Sequence, residues 1–276
     1  MRDFGAGAKT VGGNEGSKCQ YTTRLDTYGC GCSHDCKYCY AKSLLDFRGL
    51  WKPDSPAVGD IRKIGREIKK LPKKVVRMGG MTDCFQPIEK IHRITYKTIK
   101  ILNRYRVPYL IVTKSAMVAE PEYMSILDKE LAHVQVTVTT LDDALSMTYE
   151  KASKPSDRVD AIKRLQDAGI DVAIRLSPFM PEFMDTAKLP ELDIQKAVIE
   201  FLRVNGWVQK WFDIDYSKYT LNQGGYKHLP LSVKRELIKS IKGFEQMTVC
   251  EDEDTAYRYW RDHFNHNPND CCNLRV

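Results

Sequence analysis

The sequence predicts an α/β fold built on a parallel sheet, most simply an incomplete barrel of about six strand–helix repeats. Three observations carry this. From about residue 56 onward, short apolar strand patterns alternate with amphipathic helical ones. The apolar runs are strand-sized, Tyr109-Leu110-Ile111-Val112 among them, as expected of buried parallel strands. The helical stretches between them run to ~10–20 residues, the spacing of βαβ units.

The elements follow in order. A strand over 20–28 precedes the first cysteine cluster. Ile61, Ile64, Ile68 and Leu71 recur at three-to-four-residue spacing and predict a helix that stops before Pro72. Val75-Val76-Arg77-Met78 is a short strand ended by Gly79-Gly80. Pro87 opens a second helix carrying Ile88, Ile91, Tyr96, Ile99 and Leu102. The strand 109–113, a helix near 122–131 and the strand 134–139 follow. A helix over 157–168 ends at Gly169, a good C-cap, before the strand 170–176. A helix over 192–204 ending at Asn205-Gly206 and a strand over 208–214 complete the pattern. The resulting division is an N-terminal loop segment 1–19, a barrel 20–230 and a small helical, cysteine-containing C-terminal extension 231–276.

Composition sets limits. The chain has 276 residues, 42% hydrophobic and 29% charged, enough to bury a full core. No stretch approaches the ~18 apolar residues of a membrane span. The N-terminal stretch is Gly-rich and polar, without the apolar region of a signal peptide, so a cytoplasmic location is expected. A net charge of +7 permits an anionic partner without requiring one. The dense run Arg62, Lys63, Arg66, Lys69, Lys70, Lys73, Lys74 and Arg77 reads first as the solvated face of a helix, second as a phosphate-contacting patch.

The cysteines are more informative. There are nine, an odd number that suits metal or redox chemistry better than a disulfide scaffold. Cys32, Cys36 and Cys39 form Cys-x3-Cys-x2-Cys on one tight loop. Three thiolates can hold three irons of a four-iron cluster and leave the fourth open to a cofactor or substrate. A zinc knuckle is the alternative, but it calls for paired Cys-x2-Cys units that this spacing does not give.

This segment, with Tyr38 before the last cysteine, resembles the radical S-adenosylmethionine (SAM) superfamily. The likeness narrows to the spore photoproduct lyase-like branch over roughly 20–215. It rests on Gly80-Met81-Thr82-Asp83-Cys84-Phe85-Gln86-Pro87, Thr113-Lys114-Ser115-Ala116, Val136-Thr137-Val138-Thr139-Thr140-Leu141-Asp142-Asp143, the stretch 158–169 and Ser177-Pro178-Phe179-Met180-Pro181. The resemblance implies a partial (β/α)6 TIM-like barrel, in agreement with the repeat count. It implies a 4Fe-4S cluster on Cys32, Cys36 and Cys39, with SAM chelating the open iron. It also implies an electron donor such as flavodoxin or ferredoxin. Barrel sites lie at the C-terminal strand ends, so further roles follow there. Gly79 and Gly80 let backbone approach the cofactor, and Thr82 and Asp83 can accept from its ammonium group. Lys114 is similar to the family residue that pairs with its carboxylate, Thr137 and Thr139 share a face toward the carboxylate or ribose, and Tyr38 packs by the adenine. Lyase-like enzymes use a hydrogen-donating cysteine where Gly80 stands here, and Cys84 is the candidate substitute, or else a small buried hydrophobe.

Cys250, Cys271 and Cys272 form a second group outside the lyase pattern. They suggest an auxiliary iron–sulfur cluster, with Cys19, Cys30 or Cys84 as a fourth ligand; zinc on Cys250 with His263 and His266 is the alternative. The expected function is hydrogen abstraction from a substrate by the 5′-deoxyadenosyl radical of reductively cleaved SAM. A nucleic acid or nucleotide is the favoured substrate, a peptide or small metabolite the next. A non-catalytic, zinc-stabilised nucleic-acid-binding protein is the competing class.

Overall fold

The computed structural model describes residues 6–274. Its main sheet has eight strands in sequential order: β1 (Gly7–Thr10), β2 (Thr23–Asp26), β3 (Val76–Met78), β4 (Tyr109–Thr113), β5 (Ala132–Thr137), β6 (Asp171–Phe179), β7 (Lys196–Phe201) and β8 (Gln246–Val249). β1 runs antiparallel to β2, and every other pairing is parallel. The sheet curls, because Arg24 and Arg77 from one side and Glu200 and Phe201 from the other line a common cavity. It does not close, since among the described residues β1 and β8 are not paired with each other. This is the partial barrel expected.

The strands form where β-branched and aliphatic residues run together, and burial on both faces follows from the parallel arrangement. All six residues of β5 are buried. The helix Ile61–Ile68 starts at Asp60, whose carboxylate accepts from Arg62 N at 2.8 Å, and it buries Ile64 and Ile68. The helix read from Pro87 is split. Arg93 takes a left-handed φ of 55° between Glu89–His92 and Ile94–Arg104. Pro155 opens the helix Pro155–Asp167, and Gly169 ends it with φ 74°, as its sequence indicates.

One pair of elements is inverted relative to the sequence pattern. Residues 192–204, read as a helix, contain strand β7, and 208–214, read as a strand, overlap the helix Gly206–Trp211. The apolar run Ala197-Val198-Ile199 satisfies both periods, and its β-branched pair favours the strand. Asn205, taken for a helix end, is a helix start. Its side-chain oxygen accepts from Trp207 N at 3.1 Å and Val208 N at 2.9 Å.

The sheet also runs through both of the expected boundaries. Residues 7–10 of the presumed N-terminal loop pair with β2, and β8 of the presumed extension pairs in parallel with β7 from Gln246 to Val249. The helix Leu231–Ser240 leads into β8 as another helix–strand unit. Beyond the helix Asp254–His263, the chain turns back against the sheet. Thr248 Oγ1 donates to the carbonyl of Cys271 at 2.9 Å and Gln135 Nε2 to that of Cys272 at 2.7 Å. Leu274 and Cys272 pack on Leu110.

Candidate active site

The first cysteine loop sits at the C-terminal end of β2. Gly31 is required there, since a Cβ would lie 2.0 Å from the carbonyl of Lys52. Asp35 N donates to Cys32 O at 3.1 Å and Cys39 N to Cys36 O at 3.2 Å, which winds the thiols into two tight turns. The loop is pinned from outside by Lys37 N on Tyr149 O at 2.9 Å and Lys151 N on His34 O at 2.7 Å. Beneath it the Tyr38 hydroxyl donates to Glu150, which is paired with Arg158; the side chains of that ion pair are 0% exposed.

Cys32, Cys36 and Cys39 are free thiols on the wall of one cleft. Burial pushes the Cys32 thiol up to about 12 and raises Cys36 and Cys39 as well, so bare thiols stay protonated until a cation replaces the protons. Among the described residues no three cysteine sulfurs lie within 4.8 Å of one another. One zinc with Zn–S bonds of about 2.3 Å would draw its thiolates about 3.8 Å apart. The wider spread suits thiolates on separate irons.

The facing wall follows β3 and β4. Gly79 has φ 81°, and a Cβ there would meet the carbonyl oxygen of Val112 at 2.5 Å, so only glycine fits. Asp26, buried at the end of β2, accepts from Gly80 N at 2.9 Å and Met81 N at 3.1 Å and so fixes the turn. Thr82 donates to Tyr28 O at 2.7 Å. Asp83 accepts from Phe85 N, Thr113 Oγ1 and Lys114 N at 2.7–2.8 Å, with His34 Nδ1 at 3.4 Å. Burial alone would raise this carboxyl, but His34 and the backbone donors outweigh it and hold it at about 2. Lys114, just past β4, places its ammonium 5.4 Å from the centre of the Tyr38 ring.

Nine expected residues therefore share the cleft: Cys32, Cys36, Cys39, Gly79, Gly80, Thr82, Asp83, Lys114 and Thr137. Three others do not line it. Tyr38 points inward to Tyr149 and Phe212, at ring separations of 5.8 and 6.0 Å, rather than presenting a face for adenine. Thr139 is 0% exposed, within 3.0 Å of the Tyr149 hydroxyl, because the chain leaves β5 at Thr137 and turns into the core. Cys84 is likewise 0% exposed, in the turn that Asp83 closes on Phe85 N, and does not line the cleft. Asp83 itself is taken up by protein donors, so it orders Lys114 and His34 more than it receives a ligand.

Sequence reasoning missed the third wall: Arg77, Arg175, Ser177, Glu200 and Arg203. Arg175 donates to Gln135 Oε1 at 2.7 Å and Glu200 Oε2 at 2.6 Å. Ser177 Oγ donates to the same Glu200 oxygen at 2.8 Å, and Arg203 lies 3.5 Å from the other. Burial would raise the Glu200 carboxyl, but Arg175, Arg203 and Arg77 hold it well below the carboxylate range. Arg77 Nε is buried with no hydrogen-bond partner. The available signal was a charge inside an apolar strand, as in Val-Val-Arg-Met and Ala-Ile-Arg-Leu, which must face a polar interior.

The profile of the radical SAM superfamily matches residues 27–188, more than half of the chain and the whole of the cysteine loop. The chain belongs to the radical SAM superfamily. Among curated proteins it is 28% identical to an uncharacterized protein of Methanocaldococcus jannaschii over 162 residues, 56% of this chain and 60% of the relative. It is 25% identical to an uncharacterized protein of Mycobacterium tuberculosis over 169 residues, 57% of this chain and 50% of the relative. The chain thus spans less than two thirds of the length of these relatives. Among solved structures it resembles spore photoproduct lyase complexed with dinucleoside spore photoproduct, with TM-score 0.64, 14% identity, and coverage of 90% and 81% of the two chains. It also resembles Streptococcus suis SuiB bound to S-adenosylmethionine, with TM-score 0.53, 14% identity, and coverage of 83% and 50%. Both likenesses are of fold. Membership of the superfamily implies SAM and a 4Fe-4S cluster. Among the described residues, no helix is long and apolar enough to cross a membrane.

Proposed function

We propose that Cys32, Cys36 and Cys39 hold the 4Fe-4S cluster, that SAM binds between them and the Gly79–Lys114 wall, and that the substrate is an anionic nucleotide or nucleic acid. The donor set fits the first two groups. Three free thiols face a cleft, spaced too widely for one zinc, opposite a glycine at which any side chain would clash. When bound and reduced by a flavodoxin- or ferredoxin-type donor, the cluster and SAM supply a 5′-deoxyadenosyl radical for hydrogen abstraction.

The chain's own residues position the partners. Asp26 and Asp83 fix the two strand-end turns, so the backbone of 79–81 and the ammonium of Lys114 are preset beside an amino-acid-like ligand. Lys114 offers a cation to a carboxylate, and Thr137 a hydroxyl on the same side.

The observation that carries the substrate class is the arginine wall. Arg77, Arg175 and Arg203 line the cleft; Arg175 and Arg203 pair with Glu200, Arg203 pairs with Asp252 as well, and Arg77 Nε is left without a hydrogen-bond partner. Guanidinium groups suit phosphate oxygens, and a dinucleoside ligand is bound by the fold neighbour. The test is anaerobic turnover with deuterated nucleotides or oligonucleotides, reading deuterium in 5′-deoxyadenosine. Deuterium transfer supports the reading. Transfer only from a peptide or an uncharged metabolite overturns it.

A further inference from the structure

Four cysteines outside the first loop gather on the inner side of the curled sheet. Cys250 follows β8, and its sulfur lies 3.6 Å from that of Cys271. The thiol of Cys271 interacts with that of Cys272 as well as that of Cys250. Cys19, more than two hundred residues away in sequence, lines the same small cavity as Cys250 and Cys271. We propose that Cys19, Cys250, Cys271 and Cys272 bind a second iron–sulfur cluster, closed by four thiolates, beside the SAM cleft.

Geometry selects the fourth ligand. Cys84 is sealed in the core, and Cys30 lines neither this cavity nor the cleft, whereas Cys19 opens onto the cavity. The segment carrying Cys19 is docked there by Lys18, whose ammonium is held by the carbonyl of Asp252 and the carboxylate of Asp254. A zinc site is disfavoured by spacing, since no three of these sulfurs fall within 4.8 Å of one another. His263 bonds the carbonyl of Tyr259 and stacks on its ring, so it gives no zinc ligand beside Cys250. Vicinal Cys271 and Cys272 reach two neighbouring irons of a cluster more readily than one metal ion.

Charge agrees. A four-thiolate cluster is anionic, and the cavity is lined by Lys18, Arg24, Arg77 and Arg203 against Glu200, Glu251 and Asp252, one more cation than anions. Arg24 donates to Cys19 Sγ at 3.4 Å, and Arg77 and Arg203 line the cavity. Arg77, Glu200 and Arg203 line the SAM cleft as well, so the cavity and the cleft share a wall. Protein contacts also hold the scaffold. Asp270 accepts from Cys272 N and Leu274 N, both at 2.8 Å, and Asn273 donates to Gln246 O at 3.2 Å. These polar anchors hold the tail against the sheet.

The experiment uses the full chain with Cys32, Cys36 and Cys39 all changed to Ala, so that it does not depend on the first cluster. The protein is purified anaerobically and reconstituted with iron and sulfide. About four irons and four sulfides per chain are expected, with a reduced-state EPR signal that SAM leaves unchanged. Adding Cys19→Ser, or Cys271→Ser with Cys272→Ser, should lower the iron and alter the signal; adding Cys30→Ser should not. A folded variant holding no iron, holding zinc, or carrying a Cys250–Cys271 disulfide by mass spectrometry overturns the proposal. Undiminished iron in the Cys19→Ser variant removes Cys19 from the site, and a signal broadened by SAM overturns the closed coordination. Should the triple variant not fold, Mössbauer counting on the unaltered chain decides between about eight irons, as proposed, and about four.

Discussion

Replacing Arg158 by Met should destabilise the protein by about 3–5 kcal/mol, the cost of leaving a buried charge without its partner. Arg158 and Glu150 are fully buried, and the guanidinium also donates to Ser153 O at 2.7 Å and Thr137 O at 3.0 Å. Methionine fills similar volume but removes all three contacts, so the Glu150 carboxylate faces apolar surroundings with only hydroxyl partners. At ~2–4 °C per kcal/mol for a chain of this size, the melting temperature falls by on the order of 10 °C. Glu150 also supports Tyr38, which lies between Cys36 and Cys39, so iron retention should fall in parallel. The assay is urea and thermal unfolding under anaerobic conditions, with iron determined on the same samples. Adding Glu150→Gln removes the stranded charge and should recover most of the loss. A deficit below about 1 kcal/mol, or a double variant no better than the single, would refute the reasoning.

Lys114→Ala should weaken SAM binding by about 10–100-fold, the worth of one hydrogen bond between charged groups, while iron content stays constant; equilibrium dialysis checks it. Gly79→Ala should lower stability by at least ~1–2 kcal/mol, since alanine pays for a φ of 81° and also meets Val112 O, and a shift in urea midpoint measures it. Cys84→Ala should retain 5′-deoxyadenosine formation and cost stability alone, about 1 kcal/mol, because Cys84 does not reach the cleft. Glu200 has a lowered folded-state pKa, so its ion pairs stabilise the protein above the unfolded carboxylate value of about 4.3, and that contribution is lost as pH falls below it. Glu200→Gln should flatten the acid limb of stability against pH; an unchanged limb would place the acid sensitivity elsewhere.

The strands β3 to β6 were legible because each is a compact apolar run bounded by Gly, Pro or a polar turn. The cysteine loop was legible because its chemistry is carried by spacing alone. What escaped has physical causes. β1 and β8 lie at the sheet edges and read Gly-Ala-Lys-Thr and Gln-Met-Thr-Val, without the apolar density of central strands. The segment 192–214 was inverted because its apolar residues fit both periods and Asn205 caps from either direction. Thr139 was placed on the cleft by strand alternation, but the strand ends at Thr137 and alternation ends with it. Asp83 was read as a free acceptor, and only the fold reveals how many donors converge on it. Insertion of the tail into the barrel rests on carbonyls of Cys271 and Cys272 meeting Thr248 and Gln135, a match between distant backbone and side chains that no local pattern encodes.

The central claim is that Cys32, Cys36 and Cys39 make this chain a SAM-cleaving enzyme. Its most direct test is 5′-deoxyadenosine formed from SAM under anaerobic, reducing conditions by the reconstituted protein and by its Cys32/Cys36/Cys39→Ala variant. The account predicts product from the first and none above background from the second. Equal product from both, or none from an iron-loaded parent, would contradict it.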